Sequence, residues 1–308
     1  MSAGSVGATR SNGVCAIVIT HHPDANFPSR LAQIAPQVGA IVIVDNGSAD
    51  GALSMLRELA LDPAVTLVVN RGNFGIARAL NIGVERAATA GFGTAVLFDQ
   101  DSAANADQVA VLISVRGSMP NPERIAVVGC GFDGRQPPAR APRAALPRGD
   151  TWEEVESVIT SGSLLSIGAY ADIGLFRDEF FIDYVDIEFC LRARARGYRV
   201  IKTRQALMAH AIGAPTRHRT LWTTKWTTNH CADRRYYIAR NDTVLLREYG
   251  RYPGSGWLLK SLQRRLRTCK RILLYESQKI DKLIAVCSGW WDGVHNRMGP
   301  RRRDPAEV

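Results

Sequence analysis

Apolar residues come in short, nearly unbroken runs through the N-terminal third of the chain. Residues 14–19, 40–44, 65–69 and 95–98 are rich in Val, Ile and Leu, and a stretch with helical spacing separates each run from the next. A run without alternation is buried on both faces, the pattern of parallel strands joined by crossover helices. The clearest helix is predicted over residues 74–90, where Ala77, Leu80, Val84 and Ala87 recur at three- and four-residue spacing before Gly91 closes it. Its N-terminus is expected to face the C-terminal ends of the strands.

Past another apolar run at 125–128, Gly129-Cys130-Gly131-Phe132-Asp133-Gly134 matches the dinucleotide pattern G-x-G-x-x-G letter for letter. That pattern binds a diphosphate only where a helix starts within the glycines, and Pro137, Pro138, Pro142 and Pro147 forbid one. Residues 133–150 therefore read as a mobile loop near the strand ends. A strand is expected over 159–165, then a helix to Gly174. The segment 180–194 reads as a helix with Val185, Phe189 and Arg192 on one face and Asp183 and Asp186 in its first turn, where carboxylates suit the helix dipole. Two further strands are expected at 198–202 and 207–211, and helices from about residue 215 onward. The fold class is α/β, a mostly parallel Rossmann-like sheet flanked by helices over residues 13–215, with a nucleotide half at 13–105 and an acceptor half at 125–215. Residues 216–308 form a basic C-terminal helical extension.

With 46% hydrophobic residues among 308, the chain can bury a substantial core, which excludes disorder as its main state. Its six cysteines are scattered without a Cys-x-x-Cys pair, so neither a zinc ribbon nor a disulfide framework is implied, and a reducing cytoplasm fits. Residues 1–13 lack the apolar core of a secretory signal, and no run approaches the roughly 18 apolar residues of a spanning helix, so any membrane contact is expected to be peripheral. Of the net charge of +10, residues 251–308 carry most, with 13 Lys and Arg against 5 Asp and Glu.

The candidate chemistry gathers where the strands end. Asp99-Gln100-Asp101 follows the fourth run, and ligands bind at such strand ends in open α/β sheets. Two carboxylates one residue apart can divide the holding of a nucleotide-sugar, one meeting the ribose and the other a divalent cation that bridges the diphosphate. Thr20 ends the first run, Asp45 the second, and Asn70-Arg71-Gly72-Asn73-Phe74 follows the third. Together they outline a nucleotide pocket.

With these residues in view, the chain resembles the inverting family 2 glycosyltransferases of the GT-A fold, and within them the bacterial rhamnosyltransferases of cell-surface polysaccharide assembly, over residues 14–241. The resemblance implies that Asp45 in Val-Asp-Asn-Gly-Ser accepts the imide N–H of the base. Thr20, Asn70, Gly72, Asn73 and Asn81 flank the nucleotide, and His21 replaces the usual aromatic near the base. Asp99 meets the ribose and Asp101 the cation, Mg2+ or Mn2+. His210 is either a third metal ligand or a core residue. Phe181-Ile182-Asp183-Tyr184-Val185-Asp186-Ile187-Glu188 is similar to the rhamnosyltransferase signature, and Asp186 is expected to be the base that deprotonates the acceptor hydroxyl. Asp183 and Glu188 are its alternatives, the first otherwise a helix cap, the second a dipole or Arg192 partner. Ser161-Gly162-Ser163 resembles the segment beneath the donor sugar, and Arg240 of Arg-Tyr-Tyr-Ile-Ala-Arg-Asn either faces the diphosphate or pairs within the protein.

The donor implied is dTDP-β-L-rhamnose and the acceptor a saccharide, lipid-linked through polyprenyl diphosphate. A UDP-furanose donor such as UDP-galactofuranose is the alternative, since thymine and uracil present Asp45 with the same imide edge. The basic tail carries Leu258, Leu262, Leu266, Cys269 and Leu273 at helical spacing, with Lys260, Arg264, Arg265, Arg267, Lys270 and Arg271 around them and Trp257, Trp290 and Trp291 nearby. That composition suits a helix at the inner leaflet of a membrane, or one packed against a core or a second copy. A nucleic-acid module is disfavoured, because no helix-turn-helix, RRM or zinc-finger pattern accompanies the charge.

Overall fold

Continuous Val/Ile runs need cover on both faces, and the fold supplies it with helices. The computed structural model describes residues 11–133, 152–209, 216–219, 224–227, 229–250 and 257–301. The chain divides into two compact units, the first made of residues 1–74, 78–176 and 189–211, the second of 75–77, 177–188 and 212–308. This division does not follow a single cut near residue 215, because the segment 177–188 belongs with the C-terminal region.

The first unit alternates strand and helix: β1 (Ser11–Thr20), α1 (Phe27–Ile34), β2 (Val38–Asp45), α2 (Asp50–Leu59), β3 (Val65–Val69), α3 (Ile76–Thr89) and β4 (Thr94–Asp99). There follow β5 (Ala103–Ala104), α4 (Gln108–Gly117), β6 (Ile125–Asp133), β7 (Trp152–Glu154), β8 (Ser163–Ser166), α5 (Ile167–Ile173), α6 (Val185–Ala195), whose residues 185–188 belong to the second unit, and β9 (Arg199–Ala209). The strands form one nine-stranded sheet in the order β3-β2-β1-β4-β8-β6-β9-β5, with β7 also on β9. β1 to β4 are parallel to one another, while β8 runs antiparallel between β4 and β6. Thr20 lies opposite Asp45 and Ile19 opposite Asp99, so three strand ends reach one edge together. The predicted stripe of α3 is its buried face: Ala77, Leu80, Val84 and Ala87 are all buried.

Two expectations change, and the exclusion of a helix start at Gly129 to Asp133 holds. The two strands foreseen at 198–202 and 207–211 are one, β9; its register with β6 shifts between Gly129 and Phe132, so irregular pairing absorbs the polar interruption Thr203-Arg204-Gln205. Residues 129–133 of the glycine-rich pattern lie within β6, and Gly129 and Gly131 serve packing: a Cβ on Gly129 would sit 2.5 Å from Val158, and one on Gly131 2.6 Å from the Gln205 carbonyl oxygen. Residues 134–150 of the predicted loop lie outside the described residues. Finally, α6 begins at Val185, which leaves Asp183 outside its first turn.

The second unit contains the short antiparallel pair β10 (Thr216–Arg219) and β11 (Thr224–Thr227), where helix was expected, then α7 (Ala232–Tyr249), α8 (Trp257–Tyr275) and α9 (Lys279–Val294). α7 and α9 approach closely because Gly289 and Gly293, one helical turn apart, present no side chain; a Cβ on Gly293 would come within 2.6 Å of the Thr243 Cβ. Tyr236, Tyr237 and Ala285 form one small core, and Ala239, Ile272 and Val286 another.

An ionic cluster is buried among these helices. Glu276 pairs with Arg235 and, at 3.0 Å, with Lys282, whose Nζ also donates to the Asn229 side chain at 2.7 Å. Half-buried His230 lies in this positive surrounding. Burial first, then Arg234, Arg235 and Lys282, pushes its pKa from 6.5 down to about 4. The folded protein therefore binds fewer protons than the unfolded chain between about pH 6.5 and 4, and stability is lost on acidification through that window. The loss due to His230 is expected to reach at most about 3 kcal/mol. Urea unfolding of wild type and His230→Asn across this pH range should show the flatter profile for the variant; superimposable profiles would contradict it.

α8 does not turn its leucines into the core. Asp242 of α7, buried, accepts hydrogen bonds from Ser261 at 2.5 Å, Arg265 at 2.9 Å and Arg264 at 3.0 Å, and Arg265 also donates to Thr243. The polar side of α8 thus faces inward with Ile272. Leu258, Leu259, Leu262, Leu266, Leu273 and Leu274 are left 46–73% exposed. Trp290 is half-buried with the guanidinium of Arg265 5.5 Å from its ring, while Trp291 is exposed.

Candidate active site

Four loops of the first unit meet at the strand-end edge. Asp45 is fully buried, and its carboxylate accepts from the Thr20 hydroxyl (3.0 Å), the Ser48 hydroxyl (2.5 Å) and the backbone N–H groups of Gly47 (3.2 Å) and Ser48 (2.9 Å). Four donors occupy the roughly four acceptor sites of a carboxylate. Asp45 therefore shapes the loop after β2, and a base imide would reach it only by displacing one of these bonds. Thr20 is buried in the same bond and is a support rather than a contact residue. His21, exposed, has its pKa lowered by partial burial and then by His22, against the pull of Asp45.

Asn46, not singled out in the sequence, joins two loops. Its side-chain oxygen accepts from the Asn70 amide at 3.1 Å and from the Phe74 N–H at 3.3 Å, and its amide donates to Asn73 at 3.1 Å. Gly47 explains Gly72: at φ +88° a Cβ on Gly47 would lie 2.7 Å from the Gly72 Cα, so the two backbones touch. Asn81 is used elsewhere, its oxygen accepting from Tyr170 (2.6 Å) and the Phe176 N–H (3.0 Å) and its amide donating to the Phe176 carbonyl (2.8 Å). It braces α3 rather than flanking a nucleotide.

Asp99 is half-buried and Asp101 exposed at the end of β4. The residue between them fixes the turn: Gln100 accepts from the His21 N–H at 2.7 Å and donates to the His21 carbonyl at 3.1 Å, while Arg30 donates to the Gln100 carbonyl at 2.7 Å. On the other side the Ser161 hydroxyl accepts from the Asp99 N–H at 3.2 Å and bonds Ser102 at 2.5 Å. Ser163 is buried and donates to the Thr160 carbonyl at 2.7 Å. Gly162 holds φ +76°, where a Cβ would lie 2.7 Å from the Cys130 sulfur. These three residues support the carboxylate turn from beneath, and the two hydroxyls expected at sugar or acceptor are engaged by the protein.

Asp99 and Asp101 offer hard oxygen donors, a set that Mg2+ or Mn2+ accepts when one or two carboxylates are completed by phosphate oxygens and water. Among the described residues no three His, Cys, Asp or Glu side chains gather as a self-sufficient metal site. His210 lies outside the described residues.

The second unit holds the carboxylates before and within α6. Phe181, Asp183 and Tyr184 all have positive φ (65°, 61° and 66°), an uncommon state for residues with side chains. α7 holds them there. The Asn241 amide donates to the carbonyls of Phe180 (3.0 Å), Ile182 (2.9 Å) and Asp183 (2.8 Å), and Arg240 donates to those of Glu179 and Phe180, both at 3.0 Å, and Gly299 at 2.5 Å. Both side chains are fully buried, so of the two expectations for Arg240, pairing within the protein is the one realised. Asn241→Ala removes the side-chain donor of the Ile182 and Asp183 carbonyls, while Phe180 keeps Arg240, and is expected to cost about 2 kcal/mol in urea unfolding. Asn241→Asp, which sets a carboxylate against them, should cost at least as much; a loss below about 1 kcal/mol in either would refute the clamp.

Asp183 is not a cap. Arg234 grips its two carboxylate oxygens at 3.0 Å each. Burial raises its pKa despite the opposing attraction of Arg234. Glu188 is buried and accepts from the Tyr249 hydroxyl at 3.3 Å. Asp186 is half-buried in the first turn of α6, with one oxygen accepting from the Ile187 N–H at 2.8 Å.

Residues 15–137 match the Glycosyl transferase family 2 profile. Over that stretch the chain is similar to glycosyl transferase family 2. It is 28% identical over 253 residues, 77% of this chain and 81% of the relative, to dTDP-rhamnosyl transferase RfbF of Shigella flexneri. The mannosyltransferase PcManGT of Pyrobaculum calidifontis, solved with GDP-Man and Mn2+, superposes with a TM-score of 0.57 at 16% identity, over 92% of this chain and 88% of that one. S. aureus TarS 1–349 with UDP-GlcNAc gives 0.56 at 15% identity, over 92% and 82%. At these identities the two structures establish the shared GT-A fold. In this glycosyltransferase the family match covers the loops of Asp45, Asn70 and Asp99, whereas the α6 carboxylates and their α7 clamp lie beyond it. Asn46, Gln100 and Ser102 were missed as organising residues; the asparagine beside the strand end was the available signal.

Proposed function

We propose that this glycosyltransferase moves L-rhamnose from dTDP-β-L-rhamnose, with inversion, onto a hydroxyl of a lipid-linked saccharide during cell-surface polysaccharide synthesis on the cytoplasmic side. The observation that carries the donor is the likeness to a dTDP-rhamnosyl transferase across most of both chains. Asp101 would hold Mg2+ or Mn2+ and Asp99 would meet the ribose, as Mn2+ accompanies GDP-Man in the structurally similar mannosyltransferase. When bound, the ion supplies positive charge for the departing diphosphate. Asp186 takes the proton from the acceptor hydroxyl as its oxygen attacks the anomeric carbon, the bond to dTDP breaks, and dTDP leaves with the electron pair. Of the three carboxylates, Asp183 is engaged by Arg234 and Glu188 is withdrawn from solvent, which favours Asp186 for meeting an acceptor. The loops around Asn46 and Gly47 shape the nucleotide end, with Asn70, Gly72 and Asn73.

A donor panel tests this reading. Hydrolysis or transfer with dTDP-rhamnose and none with UDP-galactofuranose is expected; turnover of the UDP-furanose alone would replace rhamnose while leaving the glycosyltransferase assignment in place.

A further inference from the structure

We propose that the outward face of α8 docks on an anionic lipid surface. Leu258, Leu259, Leu262, Leu266 and Leu273 fall within an arc of about 100° on the helix, and Lys260, Arg267, Lys270 and Arg271 occupy the adjoining arc of about 100°. All nine side chains are exposed. Asp242 fixes this orientation by drawing Ser261, Arg264 and Arg265 inward, so the apolar arc cannot turn into the core without breaking three hydrogen bonds to a buried carboxylate. The whole of α8 contains no Asp or Glu.

The charge decides between occupants. A two-fold contact between copies sets the same patch against itself and would oppose cation to cation. A membrane bearing anionic headgroups suits both arcs, with negative charge for the basic one and acyl chains for the leucines. No described helix is long and apolar enough to cross a membrane, so the contact would lie in the interface.

The test is co-sedimentation of the full chain with vesicles of phosphatidylcholine alone or with phosphatidylglycerol added, at low and high salt. Binding is expected to the anionic vesicles, weakened by salt. The pair Leu262→Glu, Leu266→Glu should abolish it, and Lys270→Gln with Arg271→Gln should weaken it about 30-fold, at roughly fivefold per charge. Both pairs sit on the exposed face, and urea unfolding confirms that each remains folded. Equal binding to both vesicle types, or binding untouched by either pair, overturns the proposal. So does absence of binding together with a concentration-dependent dimer, by light scattering, that the leucine variant dissolves; that result assigns the face to a second copy. The readout needs no sugar, so it stands or falls separately from the proposed transfer reaction.

Discussion

Asp186→Asn is expected to lower turnover by about 10²–10⁴-fold while leaving donor affinity near that of the wild type, the scale of a lost general base. The substitution is nearly isosteric, and the amide oxygen can still accept the Ile187 N–H that the carboxylate accepts now at 2.8 Å, so the first turn of α6 should persist. What disappears is the ability to take a proton. Transfer rates at saturating donor, beside dTDP-sugar binding by calorimetry, separate the two effects. Asp183→Asn is the necessary companion, because it removes the charge that pairs with Arg234 at 3.0 Å and should reduce stability as well as rate. Near-normal turnover by Asp186→Asn alongside inactive, folded Asp183→Asn would move the base to Asp183.

The second large effect is expected at the other carboxylate pair. In wild type, Mg2+ or Mn2+ should raise donor affinity; in Asp101→Ala that increment should vanish and turnover fall by about 10³-fold, the several kcal/mol that a cation contributes at a phosphoryl leaving group. Gln100 should keep the turn in place, since its two bonds to His21 do not involve the Asp101 side chain. Asp99→Ala should weaken the donor even without added metal. A metal-dependent increment in Asp101→Ala equal to that of wild type would remove Asp101 as a ligand.

The architecture of the nucleotide half was legible because burial on two faces leaves a compositional mark. Four apolar runs became β1 to β4, and the stripe through Ala77, Leu80, Val84 and Ala87 became the inner face of α3. Strands that break this pattern were misread: β9 passes through three polar residues, and β10 and β11, Thr-Arg-His-Arg and Thr-Lys-Trp-Thr, have almost no apolar content. The order of motifs located the right loops. It did not tell which side chains would be consumed within them, because the partners are distant: Thr20 meets Asp45, Asn81 meets Phe176, and Arg240 meets Phe180. Nor did periodicity orient α8, where a single buried acid on α7 decides which face turns in.

The carboxylate segment and its supports also set what can be exchanged between relatives by recombination. A crossover near residue 211 would look harmless along the sequence, since it falls after the last strand of the sheet. It would hand the new enzyme an Asp183 and a run of left-handed residues from one parent, and Arg234, Arg240 and Asn241 from the other. Residues 177–188 and α7 are therefore inherited as a block, and a functional chimaera keeps both from the same parent.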